Sequence, residues 1–258
     1  RFLDLCSSRY LLEPISADYR KLSLGMEFSN RQLVSFRPGI DFSRHPWSIT
    51  QMNVVIIPVT PFQQNCTLVW CKETLEGAFI DPGGEVDRLI AEADERGAKV
   101  VKILITHGHM DHAGGVADMS ERLEIPIEGP HEDDKFWIDQ ITESAEKYGM
   151  APGPRPFTPD RWLNGGDEVS FGKVTLGVRH CPGHTPGHVI FYHENLQFAQ
   201  VGDVLFRGSI GRTDFPRGDH ETLINSIKTQ LWPLGDGITF IPGHGPTSTF
   251  GNERRTNP

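Results

Sequence analysis

No stretch of the chain is apolar for the ~20 residues that a membrane-crossing helix needs. Lysine and arginine do not balance the acids either, and the net charge is −9. The first absence excludes a helical membrane span. The second argues against a surface that tracks nucleic-acid phosphates. Cysteine is scarce: Cys6, Cys66, Cys71 and Cys181 form no C-x-x-C pair and no dense disulfide framework. They are expected to be reduced, mostly buried thiols in a cytoplasmic protein. In the run NCTLVWC, the odd separation of Cys66 and Cys71 puts them on opposite faces of a strand. No G-x-S-x-G elbow or comparable nucleophile motif occurs, so an acyl-enzyme route has no candidate. Internal repeats and low-complexity tracts are absent as well.

What is there is enough chain, 258 residues, for one sizeable α/β core. Residues 1–51 show no sustained period of 2 or 3.6. They hold seven Lys/Arg against five Asp/Glu, a net of +2, which leaves −11 for the other 207 residues. They lack the apolar core of ~7–15 residues that a signal peptide needs. The first residue is Arg, whereas Met52 opens a clean strand pattern, MNVVIIPVT. Residues 1–51 are therefore read as an N-terminal extension, weakly ordered or outside the native domain, and 52–258 as the folded domain.

From Met52 the pattern sharpens. VVIIPV, CTLVWC and GAFID read as three strands separated by turn residues. EVDRLIAEADERGA is an amphipathic helix with Val86, Leu89, Ile90 and Ala93 on one face and Gly97 ending it. KVVKILIT is a nearly all-apolar strand, as expected where both faces are covered. ADMSERLE and DDKFWIDQITESAEKYG are each read as a helix. A second strand set follows the loop APGPRPFTP: EVSFG, KVTLGVRHC, HVIFYH and LQFAQVG. HETLINSIKTQL is then a helix and GITFIPG the closing strand. Two successive sets of strands and helices suggest two sheets packed face to face with helices outside.

KVVKILIT runs straight into THGHMDH, three histidines and an aspartate within residues 106–112. A loop at the carboxyl end of a buried strand is where α/β proteins place their chemistry. In H-x-H two imidazoles on a tight turn can converge on one ion; Asp111 and His112 could serve a second. Imidazole and carboxylate donors suit zinc, and equally iron or manganese. A lone histidine here would read as a solvated turn residue; four close-set ligands reverse that reading. CPGHTPGH, VGDVLF and IPGHGP each add a candidate between glycines or prolines at a strand end, namely His184, Asp203 and His244. His188 is expected to brace its loop. Seven ligands suffice for two ions with one bridging carboxylate.

With THGHMDHAGG, PGHTPGH, GDVLF, GRTDFPRG and PGHG, the sequence resembles the metallo-β-lactamase superfamily, and within it the glyoxalase II (hydroxyacylglutathione hydrolase) group of short bacterial type. The resemblance spans about residues 52–258. It implies an αββα sandwich of two mixed β-sheets with helices on the outer faces. It implies that His107, His109 and His184 bind a first divalent ion, that Asp111, His112 and His244 bind a second, and that Asp203 bridges. Zinc is the expected metal, with iron or manganese as alternatives. A bridging hydroxide would then attack a carbonyl that one ion polarises, with Asp111 orienting it, and a thioester suits this chemistry because the thiolate departs readily. The implied reaction is cleavage of S-D-lactoylglutathione, or a related acyl-glutathione, to D-lactate and glutathione.

Glutathione carries two carboxylates, so cationic anchors are expected at the entrance. Arg212 resembles a family lysine that contacts glutathione and is the first candidate, with Arg217 beside it. The bland alternative for Arg212 is a structural pair with Asp214. Longer glyoxalase II enzymes add basic contacts in a C-terminal helical region, and this chain stops at NERRTNP. The nearest rival is a mononuclear iron persulfide dioxygenase on the same fold, whose loop also reads close to GRTDF. A small-molecule partner is expected, with no nucleic acid and no membrane, in a monomer or small homo-oligomer.

Overall fold

A computed structural model describes residues 51–150 and 153–258; the expectation for residues 1–51 lies outside the described residues, apart from Gln51. The first sheet begins as an antiparallel meander of β1 (Met52–Val59), β2 (Gln64–Cys71) and β3 (Glu76–Ile80). Helix α1 (Val86–Glu95) then crosses over to β4 (Lys99–Leu104), parallel to β3. Helices α2 (Met110–Ala113) and α3 (Val116–Leu123) cross again to β5 (Ile127–Glu128), parallel to β4. A 3-10 turn (Glu132–Asp134) leads into α4 (Lys135–Asp139) and α5 (Ile141–Lys147).

The second sheet takes β6 (Glu168–Phe171), β7 (Val174–His180), β8 (Val189–His193) and β9 (Phe198–Gly202) in antiparallel succession. A small hairpin, β10 (Leu205–Phe206) with β11 (Ser209–Ile210), follows. Helix α6 (His220–Ser226) and the turns after it then lead to β12 (Thr239–Pro242), which returns parallel to β9. Last come β13 (Ser248–Thr249) and α7 (Phe250–Thr256). The orders are β1-β2-β3-β4-β5 and β13-β12-β9-β8-β7-β6. This is the expected αββα sandwich.

Strand periodicity sorts side chains into three apolar layers. On β2, Cys66, Leu68 and Trp70 face α1, α2, α3 and α5. Val69 and Cys71 on the same strand face the other sheet and meet Val178, Phe191, Phe198 and Ile241. The far side of the second sheet, with Ile190, Val201 and Phe240, packs on Leu223 of α6 and Phe250 of α7. The two cysteines thus do point opposite ways, and with Cys181 they are free thiols. Among the described residues no helix is long and apolar enough to cross a membrane.

The single helix expected over DDKFWIDQITESAEKYG is instead three pieces, broken at Asp134 and Gln140. Asp134 leaves helical register because its side chain is committed elsewhere, as described below. The dry middle of the sandwich has no place for charge, and buried polar groups gather at one end, including Asp81, Thr106, His107, His112, Asp134, His184, His188 and Asp203. There the sheets are stitched together: Val189 N–H donates to the Thr106 carbonyl (2.8 Å), and Asn65 N–H to the Gly243 carbonyl (2.7 Å).

Candidate metal centre

The seven expected ligands all stand at this end. His107 and His109 follow β4, and Asp111 and His112 lie on the single turn of α2. His184 lies between β7 and β8, Asp203 follows β9 and His244 follows β12. Because β9 and β12 are parallel neighbours, their carboxyl ends deliver Asp203 and His244 side by side. His109 Nδ1 is 3.1 Å from His107 Nε2 and 3.0 Å from His184 Nε2. His244 Nε2 is 3.2 Å from Asp111 Oδ2. Asp203 lies between the two groups, with Oδ1 3.4 Å from His112 Nε2 and Oδ2 3.5 Å from His184 Nε2 and 3.8 Å from His244 Nε2.

Hydrogen bonds on the far side of each ring decide where its lone pair points. Thr106 Oγ1–H donates to Asp81 (2.6 Å), so its oxygen receives Nδ1–H of His107 (3.0 Å). Nδ1–H of His112 donates to Asp81 Oδ2 (3.0 Å). Nδ1–H of His184 donates to the Arg212 carbonyl (2.7 Å), and that of His244 to the Phe62 carbonyl (3.1 Å). In the neutral ring all four Nε2 atoms are therefore bare. Two of them converge on His109 Nδ1, which carries at most one proton, so at least one close approach has no hydrogen bond to explain it. His112 Nε2 and Asp203 Oδ1 are buried without a hydrogen-bond partner. Inward-facing lone pairs and orphaned donor atoms fit two cations, one among His107, His109 and His184, the other among Asp111, His112 and His244, with Asp203 reaching both. Neutral imidazole and carboxylate donors fit zinc, iron or manganese.

The electrostatics agree. Burial holds His107 and His184 below the ordinary imidazole range and takes His109 down to about 3, with neighbouring imidazoles adding to the effect. Burial alone would also lower His112, but Asp203 and Asp111 hold it well above its usual value; His244 is raised in the same manner, first by its hydrogen bond to Asp111. Asp203 and Asp111, which burial alone would raise, are pulled below the usual carboxylate range, chiefly by His112. The first group thus presents neutral imidazoles and the second presents ionised carboxylates beside imidazoles that favour their protons, and the carboxylates attract cations.

Several partners were not singled out from the sequence. Asp81 closes β3 and accepts from Thr106 N–H (2.7 Å) as well as from His112. His188 accepts from Asp203 N–H (3.1 Å) and stacks on His107 (4.6 Å), so it braces its loop as expected. Trp137 and Phe215 wall in His109 at 4.5 and 5.1 Å. Arg212 is held by both oxygens of Asp214 (2.9 and 2.8 Å), which is the bland reading of that residue. Arg217 lies 4.0 Å over the Phe136 ring, and no described acid pairs with it. Arg254 is engaged with Asp236 and the Trp232 carbonyl. Another cluster, His131, Asp133 and His180, lies apart; His131 Nδ1 caps a turn and His180 Nε2–H donates to Pro186, so its nitrogens have other work.

Residues 59–248 match the metallo-β-lactamase superfamily. The chain belongs to that superfamily. Hydroxyacylglutathione hydrolase GloC of Haemophilus influenzae is 48% identical over 208 residues, covering 80% of this chain and 97% of the relative. The probable metallo-hydrolase YqgX of Bacillus subtilis is 33% identical over 204 residues, covering 78% and 94%. Among solved structures, TTHA1623 in a di-iron-bound form is 39% identical with a TM-score of 0.72, covering 79% of this chain and 98% of that one. BLEG-1, a B3 metallo-β-lactamase, is 33% identical with a TM-score of 0.73, covering 80% and 98%.

Proposed function

We propose that this protein is a binuclear, metal-dependent thioester hydrolase of glyoxalase II type that cleaves S-D-lactoylglutathione or a related acyl-glutathione to D-lactate and glutathione. The observation that carries the reading is a complete set of seven ligand side chains at one end of the sandwich, with Asp203 spanning both groups. The hydroxyacylglutathione hydrolase named among its relatives supports the substrate class. Zinc is the proposed metal, and the di-iron form of TTHA1623 makes iron the alternative.

Bound there, two divalent ions would supply a water acidic enough to attack at neutral pH and a Lewis acid for the thioester carbonyl. The chain's own residues do the rest. Asp111, ionised and partly open to solvent, orients the attacking water. Trp137 and Phe215 keep bulk water from His109. Arg217 is the stronger candidate for a glutathione carboxylate, since Asp214 already occupies the Arg212 guanidinium. Free thiols at Cys66, Cys71 and Cys181 support a cytoplasmic setting.

The dioxygenase alternative has little support. ETHE1 from Myxococcus xanthus is 22% identical to this chain and carries the fold alone. The deciding experiment measures metal content together with thiol release from lactoylglutathione and a small thioester panel. A β-lactam arm answers the likeness to BLEG-1, and oxygen uptake with glutathione persulfide answers the dioxygenase. Two metal equivalents with thiol release are expected. Fully loaded protein that releases thiol from no thioester would refute the reading.

A further inference from the structure

Asp134 is fully buried, and no described cation forms an ion pair with it. Burial pushes its carboxyl up to about 6, even though three hydrogen bonds oppose the rise. A buried carboxylate without a counter-charge is costly to keep, so what it holds matters. Its Oδ2 accepts from Gly108 N–H (2.8 Å) and from Thr185 Oγ1–H (2.8 Å); its Oδ1 accepts from Gly187 N–H (2.6 Å). Gly108 separates His107 from His109, and Thr185 follows His184. One carboxylate therefore ties together the two loops that supply the first group of ligands. Contact is close: a Cβ at Gly187 would fall 2.4 Å from Asp134 N, and one at Gly108 would fall 2.8 Å from Trp137 Cβ.

We infer that Asp134 is a positioning residue that sets the spacing between the His107–His109 pair and His184, and so the affinity of the first ion site. This rests on reading those three histidines as one site, and not on the identity of the substrate. The second group, Asp111, His112 and His244, takes no bond from Asp134 and is held through Asp81 and the Phe62 carbonyl.

Asp134→Asn tests this. The amide keeps the shape but brings an NH2 against one of the N–H donors, and Gly187 N–H at 2.6 Å leaves no room for it. Thr185→Val, which removes one donor at constant shape, is the milder variant. Zinc affinities of the metal-stripped full chain are read by chelator competition, and unfolding of the zinc-free protein is measured beside them. Wild-type protein should bind two zinc ions. Asp134→Asn should bind one with wild-type affinity and the other about 10–100-fold more weakly, without a lower zinc-free melting temperature. Thr185→Val should weaken the same ion less. In a His244→Ala background, which removes a second-group ligand, Asp134→Asn should leave no tight zinc. Two wild-type affinities in Asp134→Asn would overturn the inference, as would losses at both sites that track a fall in zinc-free stability. Wild-type protein that binds no zinc would instead sink the reading of the centre itself, and this inference with it.

Discussion

Gly243→Ala is a severe test of the centre, because one added methyl meets it from the inside. A Cβ at Gly243 would fall 2.0 Å from Asp203 Oδ1 and 2.6 Å from His112 Cε1, where ordinary contact begins near 3.4 Å. The backbone cannot retreat: Gly243 N–H donates to the Gly202 carbonyl and the Gly243 carbonyl accepts from Asn65 N–H, both at 2.7 Å. Asp203 must therefore withdraw by about 1 Å, and a displacement of that size costs on the order of 10²-fold in rate, or about 2.7 kcal/mol of activation free energy. Asp203 reaches both ligand groups, so zinc retention should fall at both. Gly245 is the contrasting neighbour. Its φ is +75°, but a Cβ there meets nothing within 4 Å. Alanine at 245 should cost about 1 kcal/mol of backbone strain, a shift of roughly 2–4 °C in Tm for a domain of this size, with most of the zinc and the activity kept. Thioester hydrolysis, zinc content and thermal unfolding of both variants are the assay. Near-wild-type turnover by Gly243→Ala would refute the geometry, and equal losses in both variants would show that the turn, not the contact with Asp203, is what matters.

The entrance should discriminate between its two arginines. Arg217→Ala is expected to raise KM for lactoylglutathione about tenfold with kcat nearly unchanged, as loss of a ground-state anchor does; Arg212→Ala, removing a guanidinium already neutralised by Asp214, should change KM by no more than about threefold, and steady-state kinetics of the pair decide. Asp134 should leave a signature in stability against pH. Its folded carboxyl titrates at about 6 against 3.8 in the unfolded chain, so the native state binds the extra proton between those values. Its contribution is therefore present at low pH and lost as pH rises from about 4 to 6, at about 1.4 kcal/mol per pH unit. Metal-free Asp134→Asn should lack that slope, and denaturant unfolding at pH 4.5 and 6 compares the two; parallel curves would contradict the shift.

The candidate ligands were legible because their signals are local. THGHMDH concentrates four of them in seven positions, and His184, Asp203 and His244 each sit beside glycine or proline at the end of a recognisable strand. What was not legible depends on contacts far along the chain. Asp134 stands in the run EDDK, which reads as a solvated helix start; its partners are 26 to 53 positions away. Asp81 could have been suspected, since FIDPGG sets a charge at the close of a strand whose last four residues are uncharged, yet only the fold shows that it holds His112. Arg212 was preferred to Arg217 by likeness to a family lysine, and sequence could not tell which of the two Asp214 would take. Short elements escaped for a different reason: α2 has four residues and β5, β10, β11 and β13 have two each, too few to display any period. Helix α7 rests on a Thr249 cap to Asn252 N–H (3.1 Å) more than on an apolar stripe.

The acids and imidazoles of the centre also explain why proton and metal must compete there. His112 and His244 are held protonated above the ordinary range by Asp203 and Asp111, and the atoms that carry those protons, both Nε2, are the ones that face the carboxylates. An ion entering that group must displace a proton from each ring. At the first group, burial and crowding have already stripped His107, His109 and His184, so an ion meets bare lone pairs. Zinc binding to the Asp111, His112 and His244 group should therefore release protons and weaken as pH falls, while binding among His107, His109 and His184 should release few near neutrality. Calorimetric titrations in buffers of different ionisation enthalpy separate the two events; equal proton release from both would mean that the carboxylates do not polarise the centre in this way.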